Sequence, residues 1–331
     1  MNIVKKVSTI LFVLIVALTF TAFRKSPVTI FIIGDSTAAN KDISGDKQER
    51  GWGMALQGFF TKDVIVDNHA MNGRSSKSFI DEGRWEKVLE KMKPGDYVLI
   101  QFGHNDEKPA PERHTDPGTT FDANLRKFVL ETREKGGIPV LLNAVVRRNF
   151  YLKPEKQDDD ELLRNTTYTG EKVNSDTLVD THGAYLISPR NVAKELGCAF
   201  VDANKITHDI EQTMGVEGSR KLHMWFLPGE HPSLPQGRQD NTHYSIYGAH
   251  VVASALADEI GRQVSELRKH IRHYDYIVAA NGMGNYMTLK DAVDAAPMGN
   301  KTKILILNGD FQKTEIPKGK HIKIVYFDKR K

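Results

Sequence analysis

The sequence predicts a three-layer α/β/α sandwich around a five-stranded parallel sheet, with a small β-rich module after it. Two observations lead to this fold class. Strand-like apolar segments alternate with segments of helical periodicity along most of the 331 residues, as they do in parallel sheets with right-handed helical crossovers. The strand segments are also nearly unbroken apolar runs, which is typical of a sheet covered on both faces.

Five segments are expected to form the strands of the central sheet. Each is rich in β-forming residues and ends at a polar or glycine-containing turn. They are residues 28–33, 64–66, 97–102, 138–146 and 199–202.

Helices are expected between and after these strands, wherever apolar side chains recur at three- and four-residue spacing. They cover residues 51–60, 79–92, 121–135, 180–196, 204–214 and 245–269. The polar segments 147–175 and 221–239 are expected to be loops. Long loops near the carboxyl ends of strands often shape binding sites.

Residues 1–25 have the composition of a secretory signal peptide. Lys5 and Lys6 precede an apolar run over 7–23, and Arg24 and Lys25 follow it. This is the charged start and short apolar core of an export signal. An uncleaved anchor is the alternative, although the run is short for a membrane span. The protein is therefore expected to be exported to the periplasm or the extracellular space.

Charge and cysteine content limit the possible partners. The formal net charge is +4, and the four basic residues of the predicted signal account for it, so the remaining chain is close to neutral. This balance argues against a nucleic-acid partner, and no stable membrane partner is expected either. The single cysteine, Cys198, excludes an intramolecular disulfide and is expected to be an ordinary buried residue. The oligomeric state is left open.

Polar clusters follow the first three strands, and a fourth cluster precedes the last long helix. Because the carboxyl ends of adjacent parallel strands meet at one edge of the sheet, the clusters are expected to converge there. The candidate functional residues in them are Ser36, Gly73, Asn105, Asp240 and His243.

These residue types are the ones that acyl transfer requires. His243 would take the proton from the Ser36 hydroxyl, which is a weak nucleophile by itself. Asp240 would accept a hydrogen bond from the other ring nitrogen of His243 and fix its tautomer. The backbone N–H groups of Ser36 and Gly73, with the side-chain amide of Asn105, would stabilise the developing oxyanion.

The turn at Ser36 also has a structural interpretation. Asp35 or Ser36 could cap a helix that starts there. The two interpretations are compatible, because a helix N-terminus behind Ser36 would itself favour a negatively charged transition state.

In chain order, the polar clusters resemble the four sequence blocks of the SGNH (GDSL) hydrolases. The blocks are Gly-Asp-Ser at 34–36, the glycine at 73, Gly-His-Asn-Asp at 103–106 and Asp-Asn-Thr-His at 240–243. The second and fourth are most similar to those of the rhamnogalacturonan acetylesterases, carbohydrate esterase family 12. The resemblance covers residues 28–268 and places a hydrolase domain at 27–270.

The resemblance implies a flavodoxin-like sheet and the removal of acetyl groups from a pectic polysaccharide or oligosaccharide, without a metal or other cofactor. By motif position, Ser36 is the nucleophile, Asp240 and His243 complete the triad, and Gly73 and Asn105 build the oxyanion hole. The alternatives are an SGNH esterase for acetylxylan, a lipid or a thioester, and a non-catalytic pectin-binding protein.

Two further residues are candidates for contact with the substrate. Arg74 follows the glycine of the second block and could bind a galacturonate carboxylate, or it could form a structural salt bridge. Trp225 could support a sugar ring, or it could pack within its own loop. His223 and His231 do not have the spacing of a helical metal-binding pair, so no metal site is expected.

The segment 274–331 is expected to form a separate module. Strands are expected at 276–279, 303–307 and 322–327, and a short helix with a capping box at 288–295. The segment resembles the start of a pectinesterase β-helix, and it ends before the residues that carry out de-esterification in that family. A truncated β-helix start is therefore expected, with an unrelated small α+β appendage as the alternative.

Overall fold

The computed structural model describes residues 27–152, 167–171, 173–309 and 314–328. The predicted signal peptide at 1–25 lies outside these residues, as does part of the long polar segment 147–175. Among the helices that the structure describes, none has the length and apolar character needed to cross a membrane.

Strands and helices alternate as the sequence predicts. The strands are β1 Val28–Gly34, β2 Glu49–Arg50, β3 Val64–Asn68, β4 Tyr97–Gln101, β5 Ile138–Leu142, β6 Ala199–Val201, β7 His223–Phe226, β8 Arg238–Ser245, β9 Tyr276–Ala279, β10 Lys301–Asn308 and β11 His321–Tyr326. The α-helices are α1 Trp52–Ala55, α2 Ser76–Asp81, α3 Arg84–Lys91, α4 Thr120–Glu134, α5 Ile187–Leu196, α6 Ala203–Ser219, α7 Ile246–Gln263, α8 Ser265–Arg268 and α9 Leu289–Ala295.

The central sheet has five parallel strands in the order β3-β1-β4-β5-β6. Counted along the chain, this is the order 2-1-3-4-5 of flavodoxin-like folds. The predicted fold class is therefore confirmed. The direction of winding changes at β1, which has β3 on one side and β4 on the other. Such a switch point opens a crevice at the carboxyl ends of the strands, where α/β proteins bind their ligands.

Helices cover both faces of this sheet. Alternate residues of β1 enter different cores, since successive side chains of a strand point to opposite faces. Ile30 and Ile32 pack in one core with α1 and α7. Phe31 and Ile33 pack in the other core with α2, α3, α4 and α5. This arrangement produces the three predicted layers.

Several predicted boundaries are wrong for local reasons. The segment 79–92 is two helices, α2 and α3, because Gly83 between them has a φ of 66° and leaves the right-handed helical region. The segment 245–269 is also divided, into α7 and α8, at the extended residue Val264. The strand predicted at 138–146 ends at Leu142.

The segment 221–239 is not entirely a loop. It contains β7 and the start of β8, which pair antiparallel and form a separate sheet in the order β2-β8-β7. Sequence periodicity misses β8 because most of its inward-facing side chains are polar. Arg238, Asp240 and Thr242 are buried on this strand, so the usual apolar alternation is absent.

The C-terminal segment forms its own parallel sheet in the order β11-β10-β9. The predicted helix is present as α9, and its N-cap is Thr288, whose hydroxyl accepts a hydrogen bond from the backbone N–H of Asp291 at 3.1 Å. This geometry confirms a separate β-rich module. It does not confirm the resemblance to a pectinesterase β-helix, and the boundary at residue 274 stays a prediction.

This C-terminal sheet packs directly on the α/β sandwich. One of its faces is covered by α9, whereas the other contributes Ile277 and Leu305 to the core under α1 and α7. Ile277 is so close to Gly58 that a Cβ atom at position 58 would lie 2.6 Å from its Cδ1 atom. A polar contact accompanies this packing, because Arg50 Nε donates to the carbonyl of Gly282 at 3.1 Å.

Replacing Ile277 with alanine is expected to destabilise the whole protein. The side chain is 1% exposed, and removing such a side chain lowers the free energy of unfolding by about 2 to 4 kcal/mol. Ile65→Ala is the matched control, because Ile65 is 49% exposed and should cost less than about 1 kcal/mol. Urea denaturation followed by circular dichroism measures both. Equal, small losses of unfolding free energy in the two variants would contradict the described packing of the module.

Candidate active site

Ser36 lies in the turn that follows β1, at the carboxyl edge of the central sheet. The Asp35 side chain shapes this turn, since its Oδ1 atom accepts hydrogen bonds from the backbone N–H of Thr37 at 2.9 Å and from the Thr37 hydroxyl at 2.8 Å. This is an Asx turn. The alternative interpretation, in which Asp35 or Ser36 caps a helix that starts there, does not hold, because the next α-helix is α1, which begins at Trp52.

The triad predicted from sequence is assembled in the structure. His243 on β8 has its Nε2 atom 3.0 Å from Ser36 Oγ and its Nδ1 atom 2.8 Å from Asp240 Oδ2. A carboxylate can only accept hydrogen bonds, so Nδ1 carries the proton in this contact. Nε2 is then the acceptor for the Ser36 hydroxyl. The arrangement has the geometry required for a serine nucleophile and its base.

Asp240 is held as an anion in a buried position. Its Oδ1 atom accepts from the backbone N–H groups of Thr242 at 3.0 Å and His243 at 2.9 Å. Although burial acts to raise the pKa of Asp240, the neighbouring His243 and Arg238 hold it well below its usual range. The carboxylate is therefore available to orient the imidazole and to stabilise it when it is protonated.

Gly73 and Asn105 come from the turns after β3 and β4. Gly73 has a φ of 72°, a conformation that favours glycine. The Asn105 amide Nδ2 donates to the carbonyl of Arg74 at 3.3 Å, and its Oδ1 accepts from Arg113 at 3.4 Å. These contacts direct the Asn105 amide towards the turn that contains Gly73. The four polar clusters thus meet at one edge of the sheet.

Asp106 connects two of these turns, and sequence reasoning assigned it no role. This carboxylate accepts from the backbone N–H groups of Ser76 at 3.0 Å and Gly103 at 3.2 Å, and from the Thr115 hydroxyl at 2.9 Å. Burial raises the pKa of Asp106 to about 7, against the effect of the hydrogen bonds from Ser76 and Thr115. The signal that could have identified Asp106 in the sequence is its position directly after Asn105 in the third block.

His104, the residue before Asn105, belongs to a second histidine network. Its Nδ1 lies 3.1 Å from His182 Nε2, and His182 Nδ1 lies 2.9 Å from Asp180 Oδ1. Burial lowers the pKa of His104 well below its ordinary value. This network packs the loop after β4 against the segment before α5.

The two candidate substrate contacts occupy different environments. The Arg74 side chain is one third exposed, and its Nε lies 3.1 Å from Glu82, so the predicted salt bridge is present and part of the guanidinium still faces solvent. Trp225 is 5% exposed. The Arg220 guanidinium lies 4.1 Å from its ring centroid, and the Tyr168 ring contacts it edge-on. Trp225 is therefore enclosed by its neighbours.

His223 and His231, which sequence spacing made unlikely metal ligands, have protein partners. His223 Nε2 lies 2.9 Å from Glu211 in a buried pair, and His231 Nδ1 lies 2.8 Å from the Ser233 hydroxyl. The part of the chain that the structure describes contains no group of three or more potential ligands arranged to hold a metal ion.

Asp240→Asn is expected to slow turnover of the model ester 4-nitrophenyl acetate by about 10⁴-fold, because an amide stabilises the wrong tautomer of His243. The loss should appear in kcat, and KM should change little. Asp258→Asn is the matched control: this aspartate is half exposed and pairs with His273 away from Ser36, so its removal should leave kcat unchanged. Turnover within about tenfold of wild type for Asp240→Asn would contradict the assigned geometry.

The same substitution should have a pH-dependent effect on stability. The pKa of Asp240 is depressed in the folded protein, so its stabilisation is fully present above the ordinary carboxyl value of about 4 and is lost as the pH falls below it. Urea denaturation should show wild type more stable than Asp240→Asn by about 2 to 4 kcal/mol at about pH 7, and by less at about pH 3. A stability difference between the two proteins that grows as the pH falls would contradict the depressed pKa of Asp240.

Comparisons with known proteins identify the family of the chain. The GDSL-like Lipase/Acylhydrolase family matches residues 32–245. The rhamnogalacturonan acetylesterase RhgT of Bacillus subtilis is 36% identical over 247 residues, which are 75% of this chain and 95% of RhgT. The probable rhamnogalacturonan acetylesterase YesY of the same organism is 27% identical over 244 residues, 72% of this chain and 95% of YesY.

A crystal structure shares the fold. Protein YxiM of Bacillus subtilis superposes with a TM-score of 0.56 at 23% identity, over 72% of this chain. The superposed part spans 57% of the YxiM chain. The family match over residues 32–245 and the 36% identity to RhgT show that the chain belongs to the GDSL-like lipase/acylhydrolase family, as its four sequence blocks predicted.

Proposed function

We propose that the protein is a serine esterase that removes acetyl groups from rhamnogalacturonan. The observation that carries the proposal is the continuous contact from Ser36 Oγ through His243 to Asp240, with distances of 3.0 and 2.8 Å. The names of RhgT and YesY support the choice of substrate.

The reaction proceeds in two steps. Ser36 Oγ attacks the carbonyl carbon of the acetyl ester while its proton passes to His243 Nε2, and Asp240 stabilises the resulting imidazolium. The tetrahedral intermediate collapses, the bond to the sugar oxygen breaks, and that oxygen receives the proton from His243. A water molecule, deprotonated by His243, then attacks acetyl-Ser36. This second attack releases acetate and restores the serine hydroxyl.

The oxyanion of each tetrahedral intermediate needs hydrogen-bond donors. The backbone N–H groups of Ser36 and Gly73 and the Asn105 amide are the proposed donors, and each such donor contributes about 3 to 4 kcal/mol to the transition state in comparable sites. The hydrogen bonds that orient the Asn105 amide towards the 73–74 turn support its assignment. Asp106 supports the same assignment indirectly, because it holds the two turns together.

Substrate selection is proposed to depend on size and charge. Ser36 is 1% exposed, which favours a small acyl group such as acetyl. The partly exposed guanidinium of Arg74, next to Gly73, is the proposed contact for a galacturonate carboxylate, since arginine recognises carboxylates well. Trp225 is enclosed by Arg220 and Tyr168, so its proposed part is to support the wall of a sugar cleft.

Export completes the proposal. The composition of residues 1–25 supports a signal peptide, which would bring the enzyme to the periplasm or the extracellular space. Acetylated pectic polysaccharide, or oligosaccharides derived from it, would be met there.

Acetate release from three acetylated polysaccharides tests the function. Wild type should release acetate from acetylated rhamnogalacturonan faster than from acetylated homogalacturonan or acetylxylan. Ser36→Ala should reduce release by at least about 10⁴-fold, to the level of the buffer blank. Ser44→Ala is the matched control, because Ser44 is exposed and its side chain bonds only to near neighbours, the Asp42 carboxylate and Lys47 Nζ.

Two outcomes would contradict the proposal. Undiminished acetate release by Ser36→Ala would remove the nucleophile assignment. Faster release from acetylxylan than from rhamnogalacturonan would keep the esterase and overturn its substrate.

A further inference from the structure

A buried arginine shares the oxygen atom through which Asp240 holds His243. Arg238 Nη2 lies 2.5 Å from Asp240 Oδ2, and the same Oδ2 accepts from His243 Nδ1 at 2.8 Å. Arg238 and Asp240 are two residues apart on β8, so they point to the same face of the strand. The Arg238 side chain is 8% exposed, and its charge is therefore weakly screened by solvent.

A second carboxylate lies on the other side of this arginine. Glu49 Oε2 is 3.2 Å from Arg238 Nη2, although the strand register pairs Glu49 of β2 with Ser245, at the other end of β8. The other oxygen of Glu49 is 2.9 Å from Lys41 Nζ, which also donates to Asn72 Oδ1 at 2.6 Å. A polar chain thus runs from Asp240 to Asn72, the residue before Gly73.

We propose that Arg238 and Glu49 are positioning residues that set, through Asp240, the pH at which His243 becomes an active base. The inference rests on the proposed function, because it concerns the base of the same triad. Neither residue contacts Ser36 or the reacting atoms in this assignment. Both act on the charge and the orientation of the Asp240 carboxylate.

Arg238 and Glu49 should shift the pH dependence of activity in opposite directions. Asp240 favours protonated His243, and the positive charge of Arg238 on the shared oxygen weakens that effect. Arg238 therefore lowers the pH at which His243 loses its proton. Glu49 partly neutralises the charge of Arg238 and so raises that pH. A purely structural role of the same residues would lower activity without opposite shifts in pH dependence.

Other charged and titratable groups also surround the triad. Asp35 precedes Ser36, Lys41 pairs with Glu49, and His104 interacts electrostatically with His243. His223 contacts the ring of Tyr244, and Arg148 donates to the side chain of Asn241 at 3.1 Å. These groups are unchanged in the variants proposed below. They contribute to the pH profile of every variant alike, so a shift between variants reports on Arg238 and Glu49.

The pH profile of kcat/KM, measured with the model ester 4-nitrophenyl acetate from about pH 4.5 to about pH 9, tests the proposal. In Arg238→Gln, the midpoint of the acidic limb should rise by about 0.5 to 1 pH unit, because a cation has been removed from the Asp240 oxygen. In Glu49→Gln, the midpoint should fall by about 0.5 pH unit. Arg238→Lys restores the charge and should return the midpoint to within about 0.2 pH unit of wild type.

Arg126→Gln is the matched control. Arg126 forms an ion pair with Glu195, 2.7 Å away, on an exposed surface formed by α4 and α5. Its removal should leave the midpoint unchanged. Circular dichroism of each variant establishes that it is folded, and if Arg238→Gln is not folded, Glu49→Gln and Arg238→Lys carry the test.

Unchanged midpoints in folded Arg238→Gln and Glu49→Gln would overturn the inference, and so would shifts in the same direction. If Arg238→Gln is not folded, a Glu49→Gln midpoint equal to that of wild type would overturn the inference. Failure of the proposed function gives separate results: without esterase activity wild type would hydrolyse no acetyl ester and would give no profile, whereas a different sugar substrate would leave the profile and its shifts measurable.

Discussion

The hydrogen bond between Asp240 and His243 is the contact on which the rest of the site depends. It places the proton on Nδ1 of the imidazole and leaves Nε2 facing the Ser36 hydroxyl. To form it, β8 must bury a carboxylate and an imidazole three residues apart, which is costly unless both are fully paired. The backbone N–H groups of Thr242 and His243, together with Arg238, provide that pairing.

The two sheets have different tasks in this arrangement. The parallel sheet brings Ser36 to the edge where β1, β3 and β4 end, and there the turn residues Gly73 and Asn105 join it. The antiparallel sheet β2-β8-β7 supplies Asp240 and His243 from outside that edge. Its short strand β2 also reaches the C-terminal module, because Arg50 donates to the carbonyl of Gly282. The module is thus packed against the strand pair that supports the triad.

The sequence pattern predicted the central sheet well, because its strands are mostly apolar and the helices between them are amphipathic. It also grouped Ser36, Asp240 and His243, since those residues stand in ordered sequence blocks. It missed β8 as a strand because the strand buries polar side chains. It missed Glu49 beside Arg238 because the two are 189 residues apart in the chain. The helix considered as an alternative at Ser36 does not form there, because the Asp35 side chain closes an Asx turn.

Covalent labelling tests the central claim, that Ser36 is the nucleophile, most directly. The protein would be treated with diethyl 4-nitrophenyl phosphate, which phosphorylates activated serine residues, and its peptides analysed by mass spectrometry. One diethylphosphoryl group per chain is expected, located on Ser36, with esterase activity lost in proportion to labelling. Loss of activity with the label on another residue, and none on Ser36, would contradict the claim.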